Sequence, residues 1–361
     1  MKILILANSS MGLFSFRQEL IADLLNKNLV VAYTPDNGNV DELNALGCLT
    51  YDINIDRRGI NPVKDIKLFK ELVCAIKKEK PDLVITYTIK PNIYGGLACR
   101  LCHVPYAVNI TGLGTAFQNN GLLKRLVVTL YKVGLKKAKV VFFENQENRQ
   151  LFIQSKIIPE KKTCLLMGAG VNLDRYELAE YPLGQNIRFL FMGRVMKEKG
   201  INELFEAMHR LYSDGINCSL DILGGYEEDY KDIIQHYEKE GWLHYHGFQA
   251  DVRPFIANCH CFVLPSWHEG MANTNLESAA SGRPVITSNI HGCLEAVEDS
   301  VTGFLVERKN ANDLYRIMKH FVGMSYEDRK NMGLAGRRRM EEIFDKNKVV
   351  EMTTQKLLGD L

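Results

Sequence analysis

Short apolar runs separated by amphipathic stretches recur along the whole chain. In the first half the runs are KILILA (2–7), LVVAYT (29–34), DLVITY (82–87), YAVNI (106–110) and KVVFF (139–143). Runs of this length, rich in Val, Ile and aromatic residues, predict strands buried on both faces. Between them apolar positions fall at helical spacing over 16–26, 62–78 and 92–102. That alternation predicts a parallel sheet with helices on both faces, an α/β architecture. After YPLGQN (181–186) the pattern restarts with IRFLFMG (187–193), CSLDILGG (218–225), CFVLPS (261–266) and PVIT (284–287). Pro182 and Gly184 therefore mark a division into two doubly wound domains, 1–182 and 183–361. Parallel sheets bind ligands beyond the carboxyl ends of their strands, so a cleft between the two domains is the expected site. The polar stretch 325–358 reads as helical, and its composition does not say whether it crosses back to the N-terminal domain.

A length of 361 residues exceeds one usual hydrophobic core, which agrees with two domains. The apolar run after Lys2 stops at Asn8, too short for a signal-peptide core, and no stretch is long enough to span a bilayer, so a cytoplasmic location is expected. Nine scattered cysteines suit reduced buried thiols rather than a disulfide framework. Cys99, Cys102 and His103, and Cys259, His260 and Cys261, have no second half at zinc-finger spacing and read as packing residues. The net charge of +2 conceals an asymmetry: residues 1–182 hold 24 Lys and Arg against 17 Asp and Glu, residues 183–361 hold 21 against 26. No carboxylate lies between Asp82 and Glu144, an interval with eight cations, so an anionic partner is expected to face it.

Two stretches of the second domain carry candidate chemistry. The strand 187–193 runs into Gly193 and Arg194, followed by Glu198, Lys199 and Gly200 at the start of a helix. A glycine that admits close approach, two cations and a helix N-terminus suit phosphate; a solvated charged turn is the alternative. In PSWHEGMANTNLESAASGRPVI (265–286), Glu269 falls on a strand-to-helix turn and Glu277 about two helical turns later. The two carboxylates can hold hydroxyls at opposite ends of one long ligand, with the amides of Gly270, Met271 and Ala272 at the helix start available to a diphosphate. A capping acid plus an exposed helix acid is the alternative. No Asp-x-Asp pair of the kind that ligates a diphosphate-bound Mg²⁺ is present.

Gly193-Arg194 with Glu198-Lys199-Gly200, Pro265-Ser266-x-x-Glu269-Gly270, the Glu269-x7-Glu277 pair, Ala280-Ser281-Gly282-Arg283-Pro284-Val285-Ile286, and Glu295 before Thr302-Gly303 together resemble the retaining, nucleotide-sugar-dependent glycosyltransferases of family 4. The resemblance spans the chain and implies the GT-B fold: an N-terminal Rossmann-like acceptor-binding domain and a C-terminal Rossmann-like nucleotide-sugar-binding domain. It implies that Arg194 and Lys199 neutralise the leaving diphosphate, that Glu269 contacts the donor sugar, and that Glu277 holds the ribose hydroxyls, with Gly193, Gly270, Met271, Ala272 and Asn273 around the donor. It also implies that neither a metal nor a cofactor is needed beyond the sugar donor, and that bond formation retains configuration.

The first domain departs from the family's commonest pattern. Its loop of Asn8, Ser9, Ser10, Met11 and Gly12 lacks paired glycines, and Asn109, followed by Thr111 and Gly112, stands where many relatives have a histidine. The motif NITGLG (109–114) resembles the bacterial subgroup that extends lipid-linked sugars for capsule, O-antigen or glycoprotein oligosaccharides. GLGTAF (112–117) is weak as a dinucleotide loop, because Phe117 fills the third glycine position and no acid follows at the required spacing. In 122–141 an apolar stripe of Leu122, Leu123, Leu126, Val127, Leu130, Val133 and Leu135 is flanked by Lys124, Arg125, Lys132, Lys136 and Lys137. Such a helix lies on an anionic membrane surface, or else is a core helix with a solvated basic face. The combined expectation is a peripheral enzyme at the inner face of the cytoplasmic membrane. It transfers a hexose or N-acetylhexosamine from a UDP-sugar to a polyprenyl-diphosphate-linked saccharide, and no nucleic acid is involved. The alternatives are a GT-B enzyme with a non-lipid acceptor, a nucleotide-sugar epimerase, and a non-catalytic nucleotide-sugar-binding subunit of a membrane assembly complex.

Overall fold

The computed structural model describes residues 1–56, 61–113, 117 and 121–359, leaving aside the side chain of Leu122. Gly114, Thr115 and Ala116 of the glycine-containing stretches lie outside the described residues. The chain divides into two compact units, Met1–Ala169 with Asn347–Leu361, and Gly170–Lys346.

The first unit is built on β1 (Lys2–Leu6), β2 (Leu29–Tyr33), β3 (Leu49–Tyr51), β4 (Leu83–Tyr87), β5 (Tyr106–Ile110), β6 (Val140–Phe143) and β7 (Thr163–Leu165). They form one parallel sheet in the order β3-β2-β1-β4-β5-β6-β7. Its helices are α1 (Ser10–Leu25), α2 (Val40–Ala45), α3 (Pro62–Glu79), α4 (Gly96–Cys102), α5 (Leu122–Leu135) and α6 (Gln146–Gln154). The central strands are apolar on both faces because each face carries its own core: Leu4, Val84, Val108 and Val141 on one side, Ile3, Ile5, Ile85 and Phe142 on the other.

The second unit repeats the plan with β8 (Ile187–Met192), β9 (Cys218–Leu223), β10 (Leu243–Gly247), β11 (Cys261–Leu264), β12 (Val285–Ser288) and β13 (Gly303–Val306). Its sheet is parallel, in the order β10-β9-β8-β11-β12-β13. The helices are α7 (Ile201–Ser213), α8 (Lys231–Glu240), α9 (Arg253–Asn258), α10 (Asn273–Ala280), α11 (Ala311–Gly323) and α12 (Tyr326–Arg339). In both sheets the strand order reverses beside the first strand, which places each unit's switch point at the carboxyl end of β1 or β8.

The division falls before Gly170 rather than after Pro182. Residues 170–181 carry no strand or helix and pack along α10 of the second unit, tied down by carbonyl bonds to two arginines. Arg283 donates to Ala179 O and Glu180 O, and Arg337 to Tyr176 O. The final helix, α13 (Lys346–Leu358), joins the first unit: Leu357 is fully buried in its core, and Thr354 Oγ1 donates to Asp23 Oδ2 at 2.7 Å. The cysteines are all free, and Cys74 is exposed where a buried thiol was expected. His260 Nδ1 accepts from Arg188 N at 3.1 Å and burial lowers its pKa to about 4, so the Cys259–Cys261 stretch is interior packing. Among the described residues no cluster of His, Cys, Asp or Glu is grouped as a metal site, and no helix is long and apolar enough to cross a membrane.

Candidate functional site

The connection after β8 forms the first wall of the site. Gly193 N donates to Leu223 O and Val195 N to Gly225 O, which joins the loops beyond β8 and β9. Arg194 projects from this connection half-exposed, its Nη1 3.5 Å from Glu227 Oε2. A single 3-10 turn, Lys197–Lys199, then leads to Gly200, whose φ of 74° begins α7. Glycine is required twice over there, since a Cβ would also meet Pro265 O at 2.0 Å.

That close approach sets the loop after β11 against Lys199. Lys199 Nζ donates to Glu269 Oε1 at 2.5 Å, and Ser266 Oγ donates to the same oxygen at 2.8 Å. Both side chains are mostly buried, at 20 and 12 % exposure, so the pair sits at reduced dielectric. Trp267 fastens the loop on its other side: its backbone N donates to Glu198 O and its indole N–H to Glu203 Oε1. The residues read from two separate motifs thus meet as one charged cluster.

The amides at the start of α10 are not all open to a ligand. Ala272 N donates to Gly292 O at 2.7 Å, because Glu295 holds the loop that carries this carbonyl through Gly292 N and His291 Nδ1. The amide row expected at 270–272 is therefore committed at Ala272. Met271 and Ala272 are buried, and Asn273, the first residue of α10, has a buried Oδ1 that accepts no hydrogen bond.

Glu277 occupies the second turn of α10, half-buried. Burial raises its pKa to about 7, opposed by the Tyr176 hydroxyl and by the charges of Arg175 and Lys346. A carboxyl surrounded by protein yet reachable by solvent can accept two hydroxyls once ionised. Tyr176, Arg175 and Lys346 were not read from the sequence. The signal available was slight: an Asn172 side chain accepting from Asp174 N and Arg175 N shapes the turn before Tyr176.

In the first unit Gly12 lies inside α1, which begins at Ser10, and not in a loop; Gly12 N donates to the Ser9 cap. Asn109 is 4 % exposed at the end of β5, its Nδ2 donating to Thr86 O and its O accepting from Asn92 Nδ2. It packs the strand instead of lining an open loop. Thr111 and Gly112 are half-exposed beyond that strand. On α5 the apolar stripe splits. Val127 and Leu130 pack against the core and Leu135 is within it, while Leu123, Leu126 and Val133 are exposed together with Arg125, Lys132, Lys136 and Lys137. Lys124 is half-exposed. The core-facing side is set by Gly134, whose carbonyl accepts from Tyr106 OH at 2.6 Å and approaches Gly96 too closely for any Cβ there.

The family profile "glycosyl transferases group 1" matches residues 179–339 and the profile "glycosyl transferase 4-like" matches residues 2–145. The chain is 27% identical over 332 residues, 87% of either chain, to N,N'-diacetylbacillosaminyl-diphospho-undecaprenol alpha-1,3-N-acetylgalactosaminyltransferase of Campylobacter jejuni. It is 29% identical over 269 residues, 69% of this chain and 68% of the other, to UDP-Gal:alpha-D-GlcNAc-diphosphoundecaprenol alpha-1,3-galactosyltransferase of Escherichia coli. Among solved structures, Anabaena HepE in complex with UDP and glucose superposes with a TM-score of 0.83 over 100% of both chains at 18% identity. The sucrose-phosphate synthase of Thermosynechococcus elongatus does so with a TM-score of 0.80 over 98% of both at 18% identity. With two parallel-sheet units, a Lys199–Glu269 cluster at the switch point of the second, and both halves matched by glycosyltransferase profiles, the chain belongs to the GT-B-fold glycosyltransferases of the group 1, 4-like type.

Proposed function

We propose that this glycosyltransferase moves a hexose or N-acetylhexosamine from a UDP-sugar to a polyprenyl-diphosphate-linked saccharide, with retention and without a metal. The observation that carries the donor half is the Lys199–Glu269 cluster, with Arg194 earlier on the same connection after β8 and Glu277 further along α10. The acceptor half draws on the two relatives, whose names specify undecaprenyl-diphosphate saccharides.

In this reading Arg194 and Lys199 meet the charge that grows on the diphosphate as the bond from the sugar's anomeric carbon to the β-phosphate oxygen breaks. The departing diphosphate takes the electron pair. The acceptor hydroxyl oxygen bonds to the same carbon on the same face, and its proton passes to the leaving phosphate. Glu269, anchored by Lys199 and Ser266, accepts from donor-sugar hydroxyls, and Glu277 accepts from the ribose. Because the cations are already in place, no reorganisation is needed when charge develops. The exposed face of α5, with Arg125 and Lys132 among Leu123, Leu126 and Val133, together with Lys136 and Lys137 in the turn after it, gives the enzyme its hold on an anionic membrane carrying the acceptor.

The test is a thermal-shift series with UDP, GDP, ADP and CMP, each with and without EDTA, followed by transfer from the stabilising UDP-sugar to a polyprenyl-diphosphate saccharide. Stabilisation by UDP unchanged by EDTA, followed by product, agrees with the proposal. A chain that no nucleotide stabilises refutes the donor site, and transfer abolished by EDTA refutes metal independence.

A further inference from the structure

A second group of charged residues, unused by the donor reading, lies in the first unit at the carboxyl end of its sheet. β3 is an edge strand and β4 lies beside β1, so the connection through α3 crosses back between them. The first turn of α3 meets the loop that follows β4. Asp65, in that turn, accepts from Lys90 Nζ on Oδ1 at 2.8 Å and from Tyr94 OH on Oδ2 at 2.9 Å. Lys90 and Asp65 are each 15 % exposed, a partly desolvated ion pair.

The loop that carries Lys90 is strained. Thr88 holds left-handed backbone, with φ of 73°, which a β-branched residue rarely adopts. Its buried Oγ1 has no hydrogen-bond partner among the described residues. Pro91–Gly95 then forms a π turn, an irregularity that concentrates at functional sites, as backbone strain does.

Beside the ion pair is a pocket of about 160 Å³. That is roughly ten times the ~15 Å³ needed for one water, and below the ~300 Å³ at which pockets enclose a whole small molecule. It has room for one ring of a larger ligand. The lining holds three ammonium groups, Lys64, Lys67 and Lys90, and three carboxylates, Asp56, Asp65 and Glu71, with the exposed Asn54. A bound anion or cation would face as many like charges as opposite ones. A neutral polyhydroxyl ring suits both signs, because each hydroxyl accepts from an ammonium and donates to a carboxylate. The ammonium groups keep capacity for it. Lys90 has three N–H donors, one of them placed on Asp65, while Lys64 stays 3.5 Å from Asp56 and Lys67 3.8 Å from Glu71.

We propose that this pocket, between the first turns of α3 and Lys90, is a subsite for one neutral sugar ring of the acceptor saccharide. Lys90 and Asp65 hold hydroxyls of the ring, and their ion pair fixes the spacing of donor and acceptor before the sugar arrives. The inference rests on the acceptor being a saccharide. It concerns the acceptor alone and leaves nucleotide binding untouched.

The experiment uses the full chain as wild type, Asn54→Trp, which fills the pocket from an exposed position, and Lys90→Met, which removes the ammonium. Saturation-transfer NMR with glucose, galactose, N-acetylglucosamine and N-acetylgalactosamine reads sugar binding, inorganic diphosphate serves as the anion, and calorimetry reads UDP. At least one of the sugars should bind wild type. Both variants should weaken it about tenfold or more, the usual worth of a hydrogen bond to a charged group, with UDP affinity unchanged. In transfer from a saturating UDP-sugar to a polyprenyl-diphosphate saccharide, the same variants should raise the acceptor KM by that factor and leave the donor KM alone. If none of the four sugars binds, or binding survives Asn54→Trp unweakened, the proposal is overturned. Diphosphate binding that Asn54→Trp abolishes also overturns it, in favour of an anion site. If wild type transfers nothing to a polyprenyl-diphosphate saccharide, the acceptor reading falls and the proposal with it. If wild type transfers and both variants keep its acceptor KM, the proposal alone falls. Should Lys90→Met not fold, Lys64→Met, at a side chain 65 % exposed, must raise the acceptor KM the same way; an unchanged KM overturns the proposal.

Discussion

Gly200 and Gly215 flank the same helix, α7, and both hold left-handed backbone, with φ of 74° and 71°. They differ in what a side chain would meet. A Cβ at Gly215 finds nothing within 4 Å, whereas one at Gly200 lies 2.0 Å from Pro265 O and 2.6 Å from Pro265 C. Gly215→Ala therefore isolates the backbone cost. The left-handed conformation costs an alanine ~1–2 kcal/mol, and the stiffer unfolded chain returns ~0.4–1 kcal/mol, leaving a loss of about 1 kcal/mol. Gly200→Ala carries the same cost plus a clash with main chain that no rotamer relieves, for which overpacking of ~1–3 kcal/mol is the measure, giving about 3 kcal/mol in all. Both tryptophans, Trp242 and Trp267, lie in the second unit, so urea unfolding followed by their fluorescence reads the unit that contains both glycines. Relief of the clash also moves the Pro265–Glu269 loop off Lys199, so Gly200→Ala should weaken nucleotide binding while Gly215→Ala does not. If the two variants unfold within about 0.5 kcal/mol of each other and bind nucleotide alike, the close approach does not set the geometry of the Lys199–Glu269 cluster.

Three other outcomes follow from particular contacts. Arg283→Met leaves several buried carbonyls without donors and should cost about 3–5 kcal/mol, read as a large fall in the urea midpoint of the second unit. Arg194→Ala removes a half-exposed cation 3.5 Å from Glu227, so stability should hold while kcat falls about 10- to 100-fold, measured with the sugar donor saturating. Glu277 holds its proton up to about pH 7 when folded, against the lower pKa of an exposed glutamate when unfolded, so the folded state binds the extra proton between those values. Its contribution then opposes folding increasingly as pH rises through that window and levels off above about 7. Glu277→Gln should match wild type at pH 4 and be more stable by on the order of 2 kcal/mol at pH 8, checked by urea melts at the two pH values.

The fold was legible where strands are buried on both faces and obscure at the sheet edges. The strands absent from the hydrophobic pattern are β3, β7, β10 and β13, and these are the two edge strands of each sheet. An edge strand has one neighbour and meets less core, so LTY, TCL and LHYHG need no continuous apolar run. α1 starts at Ser10, ahead of the first apolar repeat, because Ser9 caps it and Asn37, from the loop after β2, bonds Ser10 Oγ and Met11 N. A cap completed from another loop leaves no trace in local spacing. The apolar stripe of α5 divides for a related reason: two glycines, Gly96 and Gly134, decide which side of the helix meets the core, and hydrophobicity does not count them.

The same contrast separates the site's charged residues from what holds them. Arg194, Lys199, Glu269 and Glu277 stand at spacings fixed by one strand and one turn, so a short motif suffices to find them. Residues 170–181 have no regular structure and lie along α10 because they are pinned there, and their anchor, Arg283, reads in sequence as one more polar residue of a turn. In the structure Arg283 is fully buried, with Nε donating to Ile256 O, Nη1 to Ala179 O and Ser281 O, and Nη2 to Glu180 O and Ala257 O. A buried guanidinium is tolerated only when its donors are satisfied, and here the acceptors come from residues 179–180, the end of α9 and the end of α10. Satisfying this one side chain therefore requires all three segments to be in place together. A lysine, with one nitrogen and three donors, could not span them. The requirement that locates residues 170–181 is thus a condition on carbonyl oxygens, and carbonyls are the part of a residue that its letter in the sequence does not specify.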